Sequence, residues 1–475
     1  MPETSCSEPY RLTARERLAL LLYQLGTVAA VPFVALYLLW RSIRQPDYRA
    51  HWFERFFGWM NTGHAASGKG IAHAFPDETP GKILWIHAVS VGETRAAATL
   101  IAQWLNADPG HCLILTHGTP TGRAAGRDIL NRFQDPTGSH HARWVQCYLP
   151  YDLPWAVRRF LRWGRPDTAV LMETELWPVL LATLRHRNIP TLLANARLSP
   201  RSAQRMSFFR SLARPALGGL TMIAAQSAQD AEAFANVVGT HSAIHIEVVG
   251  SMKFDLVVEA HHRAQAAVWR SGFAHRRIWL AASTREGEEA LVLDAWRLGL
   301  DQARLDAADL LVIVPRHPQR FQQIAEDIRR RGFRCSQRSW WSEGGIPAHL
   351  EGMEIILGDS MGEMLSYMAM ADVVLVAGSL LPFGGQNPIE ACASSRPVFF
   401  GPHMFNFEDV ANTLLAAGAA IQVHDAGEWI DEGIRLLRDP AEFSQRSVAA
   451  VAAVERYRGA SARLFDWITV RAKDR

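Results

Sequence analysis

The chain has almost no lysine. Four residues, Lys69, Lys82, Lys253 and Lys473, stand among 50 basic positions. A chain that uses arginine nearly everywhere but keeps lysine in G-S-M-K-F-D leaves Lys253 open between a specific task and an ordinary surface position. No D-x-D occurs, so the usual carboxylate clamp for a metal-bound diphosphate is missing. G-x-x-x-x-G-K-[ST] and G-x-S-x-G are also absent, which argues against a P-loop nucleotidase and an α/β-hydrolase. The five cysteines, Cys6, Cys112, Cys147, Cys335 and Cys392, are odd in number, scattered and without C-x-x-C spacing. Neither a disulfide framework nor a zinc site is expected, and a reducing compartment is favoured. Charge is balanced, with 50 basic residues against 47 acidic ones and a net charge of +3. That leaves no electrostatic footprint for nucleic-acid binding.

What is present reads as a globular protein of two domains. At 475 residues, with 48% hydrophobic and 20% charged positions, the chain exceeds one ordinary core. Leu18 to Trp40 carries no charged residue, and its 23 positions are enough to span a bilayer. Gln24, Gly26 and Pro32 weaken the run, so an anchor that spans and one that lies at the surface both stay open. Arg11, Arg15 and Arg17 precede it. Arg41, Arg44, Arg49 and Arg55 follow, an asymmetry that favours a cytoplasmic body. The aromatic run His51 to Trp59 suits either a membrane surface or a core helix. Residues 1–60 are therefore read as an anchoring and interfacial segment.

From Lys82 the pattern alternates short apolar strands with amphipathic helices, which predicts doubly wound parallel sheets. The first set of strands is Ile83–Ala88, Cys112–Thr116, Val145–Leu149, Thr168–Met172, Thr191–Ala194, Met222–Ala225 and Ile244–Val249. The second is Ile278–Ala282, Leu310–Val314, Gly332–Cys335, Glu354–Leu357, Val373–Val376 and Val398–Phe400, with one more near Ala420–Val423. This divides the chain into a Rossmann-like domain over 61–250, a linker over 251–277 and a second Rossmann-like domain over 278–475 with closing helices. Two such halves imply a cleft between facing loops.

The second half is organised around Ala377 to Pro402, where a strand, a glycine-bearing loop, a helix start and another strand follow in turn. Gly384 and Gly385 allow close approach of a ligand. Asn387 suits an N-cap and Pro388 a first helical position, with Glu390 in the first turn. Such a layout can hold a nucleotide or sugar, and it also fits an ordinary β-α-β turn. Other polar clusters likewise follow strands. V-S-V-G-E-T sets Glu93 at a helix start, as a general base or only a cap. M-E-T-E-L-W-P sets Glu173 and Glu175 after a strand, with Glu175 nearer the next helix. Thr116 to Gly122 forms a polar loop able to contact a sugar or phosphate. Arg316 in V-P-R-H-P suits a phosphate or a surface turn. G-D-S-M-G-E-M and the stretch around Ser283 complete the set.

These residues lie in segments that together resemble one family. H-A-V-S-V-G-E-T, Y-L-P-Y-D-L-P, M-E-T-E-L-W-P, A-N-A-R-L-S, G-S-M-K-F-D, E-G-E-E, V-P-R-H-P-Q-R-F, G-D-S-M-G-E-M, G-G-Q-N-P-I-E-A and G-P-H-M-F-N-F occur in order. The chain is similar in them to the bacterial 3-deoxy-D-manno-octulosonic acid (Kdo) transferases. The resemblance implies an α/β protein of GT-B fold at the cytoplasmic face of the inner membrane. It implies inverting transfer of Kdo from CMP-Kdo to the lipid A precursor (lipid IVA), without metal or cofactor. Matched residue by residue, Glu93 takes the place of the base, and Glu173 and Lys253 those of transition-state stabilisers. CMP contacts fall on Pro315, Arg316, Met361, Gly362, Glu363, Asn387, Pro388, Ile389 and Glu390. Gln386 departs from the histidine usual there, His117-Gly118 replaces a different pair, and His64 to Pro80 is longer than expected. Two other readings stay open: a GT-B enzyme using a UDP-sugar, and an inactive membrane-anchored binding module.

Overall fold

The computed structural model describes residues 12–44, 46–58, 73–75, 81–133, 143–239, 244–255, 258, 260–273, 275–341 and 352–473. Most of the His64 to Pro80 insertion lies outside these residues. The chain forms two compact units: Met1–Asp255 with Arg458–Arg475, and Leu256–Tyr457.

Unit 1 holds a seven-stranded sheet in which every described pairing is parallel. Its strands are β1 (Ile83–His87), β2 (Cys112–His117), β3 (Trp144–Tyr148), β4 (Thr168–Met172), β5 (Thr191–Ala196), β6 (Met222–Ala225) and β7 (His245–Val248). They lie in the order β3-β2-β1-β4-β5-β6-β7. β1, β2, β4, β5 and β6 are buried along their whole length, which is why their sequences read as unbroken apolar runs. Each face of the sheet is covered. Trp85, Phe160 and Leu181 lie in the core on one side, and Leu84, Trp104 and Leu464 in that on the other.

Unit 2 repeats the design with β8 (Arg277–Thr284), β9 (Asp309–Pro315), β10 (Cys335–Gln337), β11 (Ile355–Leu357), β12 (Val373–Val376), β13 (Val398–Phe400) and β14 (Ala420–Gln422). The order is β10-β11-β9-β8-β12-β13-β14, again parallel at each pairing. Trp279, Trp296 and Trp429 meet edge to face in its core, with ring centroids 5.6 to 5.9 Å apart. Two Rossmann-like units preceded by an apolar helix are the GT-B class that the sequence implied.

Beyond shifts of one or two residues at several strand ends, three differences from the sequence reading stand out. The strand expected at Gly332–Cys335 starts at Cys335, because Gly332 (φ 79°) is spent turning out of the helix Phe321–Arg330. The segment expected as a linker is structured: Met252–Asp255 is a short helix of unit 1, and Ala260–Gly272 is a helix of unit 2. The last helix, Ala460–Lys473, was assigned to the second half but belongs to unit 1, where Ala460, Leu464 and Ile468 join the core beside Leu84 and Leu100. The Asp255 carboxylate fixes that return, accepting the Gly459 and Ser461 N–H groups at 2.6 Å each.

The N-terminal helix runs from Ala14 to Arg44, longer than the uncharged run alone, with Pro32 inside it. In the aromatic run that follows, Trp52 and Phe56 pack inward while Phe53 and Phe57 stay exposed. The helix is therefore half core and half surface, and its last expected position, Trp59, lies outside the described residues.

Candidate functional site

In unit 1 the strand order reverses direction between β1 and β4, so the loops at their carboxyl ends diverge and leave room for a ligand. Glu93 sits there, in the first turn of the helix Val91–Ala96. Ser90 is the N-cap, its Oγ accepting from the Glu93 N–H at 3.3 Å and donating to Glu93 Oε1 at 2.8 Å. Glu93 Oε2 accepts the Val89 N–H at 2.7 Å. Capping and site placement are thus one arrangement. The side chain is buried, and burial pushes its pKa up to about 7. The nearby Glu173 and Glu175 carboxylates push the same way, against the hydrogen bonds from Val89 and Ser90.

Glu173 follows β4 with φ at 57°, in the left-handed region that a non-glycine residue rarely adopts. Its N–H is anchored on the Ala194 carbonyl at 2.8 Å, and its carboxylate lies 3.8 Å from Lys253 Nζ. The lysine in G-S-M-K-F-D is thereby brought to the end of β4. Glu175 instead accepts the Trp177 indole N–H at 2.7 Å, just before the helix Pro178–His186, and burial raises its pKa. All three residues the resemblance picked out in this half lie at one sheet edge.

Two buried groups there went unassigned in the sequence. His87, at the end of β1, bonds Thr116 through Nδ1 at 2.9 Å, and its Nε2 lies 4.0 Å from Glu175. Burial holds its pKa down at about 3, so the ring is neutral. Asn195, at a bulge in β5 with φ at 53°, accepts the Met252 N–H at 3.1 Å. His87 Nε2 and Asn195 Nδ2 are buried without a hydrogen-bond partner among the described residues. The loop Thr116 to Gly122, expected to meet a sugar, packs on this site's own backbone. Thr119 Oγ1 donates to the Val89 carbonyl at 3.0 Å, and a side chain at Gly118 would strike Val89 at 2.7 Å.

In unit 2 the expected CMP contacts follow β9, β11 and β12, which with β8 are four neighbouring strands. Pro315 closes β9, and the Arg316 N–H donates to the Thr284 carbonyl at 3.0 Å. Arg285, Arg316 and Arg320 surround His317 closely enough to lower its pKa, burial being the larger cause. Met361 and Gly362 are exposed, with Gly362 at φ 83°. Glu363 is held by protein: its carboxylate accepts from Gln265 and Arg338, both at 2.7 Å, and from Ser360. Asn387 accepts the Ile389 N–H at 3.2 Å, the capping bond expected of it, and Pro388 (φ −79°, ψ −14°) already has helical backbone ahead of the helix Ile389–Ala393. Glu390 lies in its first turn, 3.5 Å from Asn387 Nδ2.

The two loop glycines have a different use from the one expected. A side chain at Gly384 would meet Asn406 at 2.2 Å, and one at Gly385 would meet Met404 at 2.3 Å. Their positive φ values and missing Cβ atoms let G-P-H-M-F-N-F pack against the loop. E-G-E-E also works inside the fold. Glu289 clamps Arg320 in bidentate fashion at 2.8 and 2.9 Å. Glu288, fully buried, accepts N–H groups from Arg285, Gly378, Leu380 and Leu381.

Residues 50–256 match the family model described as 3-deoxy-D-manno-octulosonic-acid transferase (kdotransferase). The chain is 36% identical over 446 residues to the 3-deoxy-D-manno-octulosonic acid transferase of Bordetella pertussis, covering 94% of this chain and 97% of that one. It is 31% identical over 437 residues to the Haemophilus influenzae transferase of that name, covering 92% and 94%. Among solved structures, a Staphylococcus aureus MnaA complex with UDP is similar at a TM-score of 0.51 and 15% identity, covering 82% of this chain and 96% of that one. A glycosyltransferase from Rickettsia africae is similar at 0.51 and 13%, covering 82% and 98%. At such low identity the structural likeness speaks for the fold alone.

Proposed function

Because the chain belongs to the Kdo transferase family, and is therefore a glycosyltransferase, we propose that it moves Kdo from CMP-Kdo to the lipid A precursor with inversion at the anomeric carbon. Glu93 acts as general base. It takes the proton of the acceptor hydroxyl as that oxygen bonds to the anomeric carbon, the bond to the phosphate oxygen breaks, and CMP leaves. The observation that carries this reading is the Glu93 carboxylate: it is buried at a strand's carboxyl edge, with a pKa of about 7. Such a group is substantially ionised near neutrality yet basic enough to accept a proton. Lys253, held beside Glu173 at 3.8 Å, stabilises negative charge as it develops. Glu173 fixes the lysine in place.

The leaving group is a nucleoside monophosphate, whose single phosphate needs less charge neutralisation than a diphosphate. Arginine and backbone N–H groups suffice for that without a metal. Arg316, Pro315, Met361 to Glu363 and Asn387 to Glu390 hold the CMP group. Of these, Glu363 contributes by shape and backbone, since its carboxylate is already bonded by Arg338 and Gln265. Arg316→Ala is expected to weaken CMP binding at least tenfold in calorimetric titration, with unchanged melting. Unaltered affinity would remove Arg316 from the phosphate site.

The apolar helix Ala14–Arg44, of mean hydropathy 1.9, supports membrane association, and in this reading the enzyme works at the inner membrane with both units on the cytoplasmic side. The decisive assay uses purified enzyme, CMP-Kdo and tetraacylated lipid A precursor, with mass spectrometry of the lipid. A gain of one or more Kdo masses with release of CMP is expected. Release of UDP from a UDP-sugar instead would end the CMP-Kdo reading, and no transfer from any donor would leave a binding module.

A further inference from the structure

The N-terminal helix is long and apolar enough to cross a bilayer, yet one of its faces is already used. Glu16, Tyr23, Val31, Val34, Leu38 and Ser42 are buried or half-buried, at helical spacing along a single stripe. Tyr23 packs into the core beneath the sheet, beside the buried Asp152 carboxylate. Val31, Val34 and Leu38 pack with Tyr48, Phe56 and Leu153. The helices Pro178–His186 and Arg210–Leu217 of the same unit also lie against it. From Tyr23 to Ser42 the docked stripe runs for about 28 Å at 1.5 Å per residue. The opposite face is apolar and exposed: Leu18, Leu22, Leu25, Phe33, Leu36 and Trp40.

A spanning helix is surrounded by lipid over about 30 Å. If this one crossed a bilayer, the elements docked along it would be carried into hydrocarbon. Those elements hold Glu54, Arg55, Arg210 and Arg214, and charges at that depth are strongly disfavoured. A helix lying in the interface has the opposite requirement: one face on protein, one in lipid.

Two neighbouring elements fit the same geometry. The helix Trp52–Phe57 packs its Trp52 and Phe56 toward the N-terminal helix and leaves Phe53 and Phe57 exposed. The helix Arg210–Leu217 is preceded by Phe208 and Phe209, which are 84% and 61% exposed and in edge-to-face contact at 5.0 Å. Arg197, Arg201, Arg205, Arg210 and Arg214 flank that pair, with no acidic residue from Arg197 to Leu217. Exposed phenylalanines bordered by arginines complement an anionic lipid surface.

We propose that the N-terminal helix does not span the membrane but lies in the plane of one leaflet, its outer face and the Phe53/Phe57 and Phe208/Phe209 pairs forming one monotopic contact. This rests on the membrane association proposed above, and it replaces a transbilayer anchor with a surface that holds unit 1 against the headgroups.

The test uses the full chain in nanodiscs containing anionic lipid, with Cys6 and Cys335 changed to serine. Single spin labels at Leu18→Cys, Leu25→Cys, Phe33→Cys, Trp40→Cys and Phe208→Cys are read for depth by oxygen and nickel-chelate accessibility. All five are expected at one shallow depth, about 5–10 Å below the headgroups. Thr13→Cys and Asp47→Cys, in sealed vesicles, are expected to react with an impermeant maleimide from the same side. A depth profile deepest near the helix centre, or reaction from opposite sides, overturns the proposal. So do labels that stay in water or are covered by a second copy of the chain. Kdo transfer by the unlabelled enzyme is scored separately, so loss of the catalytic reading is distinguishable from loss of this one.

Discussion

Glu93→Gln is expected to lower kcat/KM for Kdo transfer by about a thousandfold or more while leaving the protein folded and CMP affinity unchanged. Glutamine keeps an oxygen to accept the Val89 N–H, now at 2.7 Å, so the helix start survives. It cannot take the acceptor's proton. The pH dependence separates this role from capping. Burial raises the folded pKa of Glu93 from 4.5 to about 7, so the fold disfavours the ionised form. Below about pH 4.5 the carboxyl is neutral in both folded and unfolded chains and costs nothing. Between about pH 4.5 and 7 the unfolded chain ionises this carboxyl while the folded protein keeps it protonated, so stability falls across that window, by up to roughly 3 kcal/mol once pH passes 7. Wild-type kcat/KM should therefore rise toward a plateau just above pH 7, by which point the stability loss is complete. Glu93→Gln should abolish the rise and melt higher than wild type above pH 7. If Glu93 only capped the helix, the glutamine variant would keep its activity and its pH profile.

Much of this was legible from pattern alone, for a physical reason. Strands buried on both faces must be apolar at every position, so each reads as a short run ended by a polar turn. β4, β6, β12 and β13 begin and end where those runs do. Placement at the carboxyl edge followed, since a residue after a parallel strand has no other end to occupy. Partnership was not legible. The helix Ala460–Lys473 shows an apolar stripe, but a stripe does not say which core it will enter. Gly384 and Gly385 announce close approach without saying that Met404 and Asn406 are what approaches. Asn195 had one usable signal, that asparagine tolerates the left-handed backbone found at its bulge. Glu288 had none, because its hydrogen-bond donors at Gly378 and Leu380 lie about ninety positions away.

That carboxylate carries the second large effect. Glu288→Ala is expected to destabilise unit 2 by more than about 3 kcal/mol, since it strands several buried N–H groups at about 1–3 kcal/mol each. Glu288 Oε2 accepts from Arg285 at 2.8 Å and Gly378 at 2.7 Å, and Oε1 accepts from Leu380 at 3.0 Å. One side chain thus joins the loop after β8 to the loop after β12. The second of these leads directly into Gly384 to Glu390, where the CMP group is proposed to sit. Two measurements on the full chain should move together: the unit 2 melting transition falls, and CMP affinity falls at temperatures where the variant is still folded. Arg316→Ala, by contrast, should lose affinity without melting early. Glu288→Gln is the sharper probe. It keeps the volume and one acceptor but turns an N–H₂ group toward N–H donors, so it should fall between wild type and alanine in both readouts. A Glu288→Ala protein that melts normally and binds CMP normally would mean that the loop holds its shape by glycine geometry and packing alone. Melting that falls while affinity in the folded state stays intact would confine Glu288 to stability, with no part in shaping the site.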